Sequence, residues 1–191
     1  TDPIRHYGWA CSPYSSKTRA YLRYKGIEHE DIHPTAYQMK RIVEKRVGFI
    51  IMPVVTRGEL TLQDSSVIID QLENEYAKPN IEPPGPTQQM ANLLLEFHAD
   101  EWLPMMVMHT RWNRPTNRDF AMRDFGANAF PWAPSFLHPR LGQIFAGKMQ
   151  SYLPILGVNS ETMPAIDEWV DELLNTLEQH FEHHDYVLGG R

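Results

Sequence analysis

The only cysteine of the chain lies in ACSPYSSKTR, residues 10–19, beside a Ser-Pro pair. Ser12 followed by Pro13 reads as a helix start, with a hydroxyl at the N-cap and proline in the first helical position. A helix N-terminus carries unpaired N–H groups and about half a positive charge, so it stabilises a nearby anion such as a thiolate. Two chemistries fit this place. With Cys11 as the working group, the helix field favours its ionisation and makes it a nucleophile for thiol exchange. With Ser12 as the working group, its hydroxyl donates a hydrogen bond to the sulfur of a bound thiol. Capping by Ser12 and packing by Cys11 are the purely structural alternatives.

Two further places carry recognition chemistry. Met52-Pro53 interrupts the strand-like run FIIMPVV, residues 49–55. Proline there marks an edge or a special turn, and a cis bond is one way of presenting the backbone of the preceding residue outward. Asp64-Ser65 stands at another helix start. Its carboxylate suits an ammonium group while the hydroxyl and helix N–H groups suit a carboxylate, which together describe the α-amino acid end of a ligand; simple capping is the alternative. His183-His184-Asp185, and His98 with Glu101, contain metal-binding residue types without a closed ligand set, so no metal is expected. The chain has no phosphate loop, dinucleotide glycine pattern or G-x-S-x-G elbow.

Short elements must position these residues. Ile4 to Tyr7 reads as a strand ending at Gly8. The helix opened by Ser12-Pro13 closes at Gly26, with Tyr14, Thr18, Tyr21, Leu22 and Tyr24 at helical spacing and Lys17, Arg19, Arg23 and Lys25 filling the rest. Ile27 to Ile32 is a weaker strand, and Thr35 to Val47 a charged helix ended by Gly48. IIMPVV and ELTLQ form a hairpin about Arg57-Gly58. SSVIIDQLENEY then gives an amphipathic helix with Val67, Ile68, Leu72 and Tyr76 inward. The order is β-α-β-α-β-β-α.

From Ala77 to Thr87 four of eleven residues are proline, a composition that suits a connector. Beyond it the strand signal ends. Gln88 to Trp112 reads as one long helix kinked at Pro104, LGQIFAGKMQSYL as a second, and the segment from Pro164 to His184 as a third, with Ile166, Val170, Leu173, Leu174, Leu177 and Phe181 on one stripe. FGANAFPWAPSFLHP reads as a loop. The expected organisation is a domain over residues 1–78, a linker over 79–87 and a helical domain over 88–191.

Composition bounds the partners. The chain has 191 residues, 42% apolar and 22% charged, with a net charge of −6, an ordinary globular profile without a general pull toward nucleic acid or anionic lipid. Its longest apolar run is far short of the ~20 residues of a spanning helix. A single cysteine makes no internal disulfide, so a cytoplasmic setting is expected.

The motifs SPYSSKTRAYLRYKGI, MPVV and LQDSSVIIDQLE, in this order and spacing, resemble the glutathione transferase superfamily. The likeness covers residues 4 to about 76; over 88–191 it is architectural, with YVLGG resembling the segment before the family's later helices. It implies a thioredoxin-like N-terminal domain followed by a helical C-terminal domain, glutathione as co-substrate, no metal and a homodimer. Carried onto this sequence, it puts Ser12 at the catalytic position of the first helix, with Cys11 one residue early and Ser15 where related redox proteins have a second cysteine. Met52, before a cis Pro53, implies backbone contacts to the cysteinyl unit of glutathione, and Asp64 and Ser65 contacts to its γ-glutamyl end. An electrophile pocket between the domains implies Trp9, Tyr14, Trp102, Met106, His109 and Trp112 as lining residues, for which ordinary core packing is the alternative; Tyr7 is a reserve hydroxyl.

The run VGFIIMP departs from the family's Asn-Pro and basic residue, leaving Lys40, Arg41, Lys45 or Arg46 to meet the glycyl carboxylate. The chain also stops before the family's Ser/Thr-x-x-Asp capping box, so trimmed ends are expected. The implied activity is conjugation of glutathione thiolate to a small hydrophobic electrophile. A non-catalytic binding or scaffold protein, and thiol-disulfide exchange through Cys11, are the other readings.

Overall fold

The computed structural model of the chain describes residues 2–188, so Gly189 and Gly190 of YVLGG lie outside the described residues. Four short strands, β1 Ile4–Tyr7, β2 His29–Ile32, β3 Val54–Arg57 and β4 Leu60–Gln63, form one mixed sheet in the order β2-β1-β3-β4. Strands β1 and β2 are parallel and are joined by helix α1, Pro13–Tyr24. Strand β3 runs antiparallel to both β1 and β4. A parallel β-α-β unit, an antiparallel hairpin and helix α4, Ser65–Glu75, make the thioredoxin-like arrangement.

Alternation along β1 divides its side chains between the two faces of the sheet. Ile4 packs with Leu22 of α1, Val55 of β3, and Ile68 and Leu72 of α4. Tyr7 packs on the other face with Val43 and Val54. Val43 belongs to a segment expected as one regular helix. It is instead wound unevenly, as α2 Ala36–Gln38, a π-helical turn Met39–Val43 and α3 Glu44–Val47, and it ends at Gly48 with φ 96°. Ile50 to Pro53 stay outside the β3 ladder, whose first pair is Val54 with Tyr7. Pro53 has no N–H to donate, and the Met52–Pro53 bond is cis.

The remaining elements are helices: α5 Pro86–Glu101, α6 Leu103–Asn113, α7 Pro115–Ala129, α8 His138–Gln150 and α9 Met163–Phe181, with a 3₁₀ turn at Ser135–Leu137. Among the described residues none is long and apolar enough to cross a membrane. The expected kink at Pro104 is a break at Trp102, which puts Pro104 in the first turn of α6, where its missing N–H has no helical partner to lose. The expected loop from Phe125 to Pro139 begins as the last turns of α7 and ends in the first turn of α8. Gly126 and Gly142 explain why: a Cβ at either would overlap the backbone of His138 or Met122, so these two glycines serve close contact of α7 with α8.

The chain divides into two compact units, one comprising the residues up to Ile81 with Ala121–Ile144, the other running from Glu82 to Phe120 and resuming at Phe145. In the second unit Met106, Val158 and Ile166 form the core, with Val170 and Leu173 against them. Leu174 and Phe181, expected on the same stripe, are exposed, because the contacts of α9 gather in its first half. Val67, expected inward, is also exposed.

Two cations, Arg19 of α1 and Lys25 at its C-cap, are buried rather than solvated. Lys25 Nζ pairs with Glu73 Oε2 at 2.8 Å and donates to the Pro79 carbonyl at 2.7 Å. Arg19 Nε donates to Asp31 Oδ2 at 2.6 Å and its Nη2 to the Gly8 carbonyl at 2.9 Å. His6 Nδ1 lies 2.9 Å from Asp31 Oδ1, and His6 Nε2 lies 2.7 Å from Thr18 Oγ1. An ionised carboxylate only accepts, so Nδ1 carries the ring proton, and Nε2 of the neutral ring accepts from the Thr18 hydroxyl. Burial pushes His6 below its ordinary pKa by more than Asp31 raises it. Burial alone would push Asp31 up, but hydrogen bonds from Arg19 and His6 outweigh it and hold the carboxyl at about 2.

The unfolded chain therefore binds more protons than the folded one below the ordinary pKa of each group. Stability is expected to decline as pH falls below about 6.5, where an unfolded histidine protonates, and again between 3.8 and about 2 through Asp31. Urea midpoints measured against pH check this, and Asp31→Asn should remove most of the second decline. Gly8 supplies a separate test. A Cβ there would stand 2.5 Å from Ser15 Oγ and 2.6 Å from Ser15 Cβ. Gly8→Ala is expected to lower unfolding stability by ~1–3 kcal/mol, the usual cost of overpacking, read from urea denaturation.

Candidate functional site

The turn from Gly8 to Ser12 leaves the C-terminal end of β1 and enters α1. Arg19 holds it at the Gly8 carbonyl, Gly8 N–H donates to Ile32 O at 3.0 Å, and Ser12 N–H donates to Trp9 O at 3.1 Å. Ser12 is the N-cap, with φ −85° and ψ 118°, and its Oγ accepts from Ser15 N–H at 3.3 Å. The side chain is partly exposed, and its own O–H donates to none of the described residues. Cys11 is half-buried and in no disulfide. Ser15 is fully buried beneath Gly8, and its Oγ has no hydrogen-bond partner among the described residues.

Met52 joins this turn to the cis-proline segment: Trp9 N–H points at Met52 Sδ, 3.3 Å away. Neither the N–H nor the C=O of Met52 enters the sheet ladder or a turn bond among the described residues. Asp64 is the N-cap of α4 and accepts from Ser66 N–H at 3.0 Å and Val67 N–H at 3.4 Å. Its φ of 77° places a non-glycine residue in the left-handed region, a strained conformation that collects at ligand-binding sites. Ser65 is buried beside it. Lys17 Nζ donates to Ser66 Oγ at 3.1 Å and so ties α1 to the first turn of α4. The first unit thereby links the Ser12 turn with the cis-proline segment and α1 with the Asp64 cap.

The aromatic candidates divide between the units. Trp9 is buried, donates from Nε1 to Pro34 O at 2.9 Å and packs on Phe125 with ring centroids 5.3 Å apart. Tyr14 is half-buried on α1. In the second unit Met106 is core, Trp112 is buried and Trp102 is exposed. His109 is buried between Asp167, 3.2 Å from its Nε2, and Asn113, 3.0 Å from its Nδ1. Arg114, 2.6 Å from Asp167, holds that carboxyl below its ordinary range. Among the described residues no group of three His, Cys, Asp or Glu is placed to hold a metal ion.

Sequence reading missed Arg19, Asp31 and His6, which fix the turn beneath Ser12. A signal was present: Ser12, Ser15 and Arg19 follow one another at i, i+3 and i+7, which puts them on one helix face. Arg46, named for the glycyl carboxylate, instead donates from Nη1 to Gly58 O at 3.0 Å and to Thr61 Oγ1 at 3.1 Å.

Residues 7–83 match the family model described as the N-terminal domain of glutathione S-transferase. No curated protein matches the chain's sequence. Among solved structures, the beta-etherase LigF from Sphingobium sp. strain SYK-6 is similar in fold, with a TM-score of 0.66 and 15% identity over 98% of this chain and 77% of that one. Glutathione S-transferase III in its apo form gives 0.53 and 16% over 99% of this chain and 74% of that one. A glutathione S-transferase from Rhodospirillum rubrum F11 gives 0.51 and 19% over 78% and 64%. Residues 7–83 thus carry a glutathione S-transferase N-terminal domain, and the fold of the chain is that of glutathione S-transferase structures.

Proposed function

We propose that the protein is a glutathione-dependent transferase in which Ser12 stabilises the glutathione thiolate for attack on a small hydrophobic electrophile. One observation carries this reading: the partly exposed Ser12 hydroxyl accepts a helix N–H while its own hydrogen is not donated to any described residue. That hydrogen is available to a sulfur anion at the positive end of α1. Lowering a thiol pKa by about two units requires roughly 2.7 kcal/mol of preference for the thiolate. A hydrogen bond to a charged group contributes about 1.5–3 kcal/mol and a helix end about 0.3–1 kcal/mol, so the two suffice.

In this reading the thiol proton leaves to water. The sulfur then forms a bond to an electrophilic carbon, and the displaced electron pair leaves with the departing group or is protonated on the product. The backbone of Met52 takes the cysteinyl unit, Pro53 holds that backbone outward, and Asp64 and Ser65 take the γ-glutamyl end. Tyr14 of the first unit retains surface for the electrophile, whereas Trp9, Met106, His109 and Trp112 are buried within their own units.

The stripe Met90, Leu93, Leu94 and Phe97 on α5 is 59–61% exposed, an apolar face that suits a second copy of the chain. A cytoplasmic homodimer is the assembly proposed.

Ser12→Ala is expected to bind glutathione nearly as well in calorimetry, yet to lose about 10–100-fold in turnover, the kinetic equivalent of one charge-assisted hydrogen bond. The acid limb of its pH–rate profile should move upward, because the bound thiol then ionises less readily. Cys11→Ala should change little. Full turnover in Ser12→Ala with an unshifted limb would refute the assignment. Sedimentation velocity should show a dimer that Leu94→Glu with Phe97→Glu converts to monomer.

A further inference from the structure

Arg41, Lys45 and Arg46 face a place of their own. With Arg5 they surround an open cleft of about 610 Å³ whose floor includes Thr61 and Tyr7 and whose one acidic lining residue is Glu59. The cleft runs along the sheet from Tyr7, whose partner in β3 is Val54, to Arg46 at Gly58. Arg46 is fastened at Gly58, which follows the last residue of β3, whereas Pro53 precedes the first. Four strand residues separate the two, about 13 Å.

The charge there is not balanced internally. Arg5 shares Glu30 of β2 at 2.8 Å. Arg46 is held by two neutral oxygens, the Gly58 carbonyl and Thr61 Oγ1. Arg41 and Lys45 have no ion pair or hydrogen bond among the described residues. The other well-held arginines of the protein meet carboxylates, as Arg19 does with Asp31, Arg57 with Glu75 and Arg114 with Asp167. Four cations around one concavity, against Glu59 in the lining and Glu30 on Arg5, leave a local positive potential in a chain of net charge −6 that an external anion offsets further. Guanidinium groups offer planar paired donors that match phosphate oxygens. Thr61 Oγ1 accepts from Arg46, which leaves its hydroxyl hydrogen for a ligand oxygen.

We propose that this cleft is a second binding site, separate from the glutathione site, for a small anion carrying at least two phosphate groups. Arg46 is the prepositioned contact, Arg41 and Lys45 close from the helical side, and Arg5 and Thr61 form the floor. A soluble phosphorylated compound and a phospholipid headgroup share this chemistry.

The test is calorimetric titration of the full chain with pyrophosphate at low ionic strength, repeated on Arg5→Glu/Thr61→Val, and cosedimentation with phosphatidylcholine vesicles containing phosphatidylinositol 4-phosphate, whose headgroup carries two phosphates. The expected result is saturable single-site binding, weakened at least about tenfold by the double substitution and unchanged in saturating glutathione. Pyrophosphate binding without cosedimentation identifies a soluble ligand; binding in both arms identifies a headgroup. Either supports the site. Absence of binding in both arms, equal affinity in the charge-reversed variant, or displacement of pyrophosphate by glutathione overturns it. Glutathione binding by the same variant, measured alongside, tests the transferase reading independently: its retention with loss of pyrophosphate separates the two sites.

Discussion

The partly exposed carboxylate of Asp31, clasped by two buried side chains, is the constraint on which the N-terminal half depends. It sits on β2, receives Arg19 of α1 on one oxygen and His6 of β1 on the other, and so joins the three elements of the β-α-β unit through one group. Arg19 then reaches past it to the Gly8 carbonyl. Arg19 is the buried charge of this network, and a buried charge left without its partner costs about 3–5 kcal/mol, so these residues stand or fall together. The geometry of the Gly8–Ser12 turn follows from that network, with the inward side of the turn filled by Ser15 so closely that only glycine fits at position 8.

In the proposed glutathione site above this support, anion stabilisation falls to the Ser12 hydroxyl and helix N–H groups rather than to side-chain charge. Helix α1 begins at the Ser12 cap and α4 at the Asp64 cap, and Lys17 bridges α1 to the first turn of α4. Helix N-termini provide a fixed field that needs no rearrangement when a thiolate forms. The cleft beside Arg46 handles charge in the opposite way, through long cationic side chains on an open polar floor. The first arrangement suits an anion that must be positioned to react; the second suits an anion that must only be held.

Much of the fold was legible because its signals are local. Ser12-Pro13, Gly26, Gly48 and the Asp64 cap each punctuate the chain through their own conformational chemistry, and the order β-α-β-α-β-β-α follows from them. Met52-Pro53 was legible as an interruption of a strand for the same reason. Helix α7 was concealed because its glycine, a poor helix former, is there for packing on α8. The inward sides of α4 and α9 were only half legible: Val67 and Leu174 obey the helical period yet face solvent, since period says where a stripe lies and not how far its partner extends.

The sequence by itself determined the succession of elements, the two capped helix starts and the proline at position 53, because caps, breakers and alternation act over a few residues. Only the tertiary structure decided that Arg19 turns inward, that Ser15 is sealed under Gly8 while Ser12 keeps a hydroxyl toward solvent, and that Arg46 stands at the Gly58 turn. Arg19 finds Asp31 twelve residues away and His6 finds it twenty-five away. A charged side chain is buried or solvated according to such distant partners, and no local pattern encodes them.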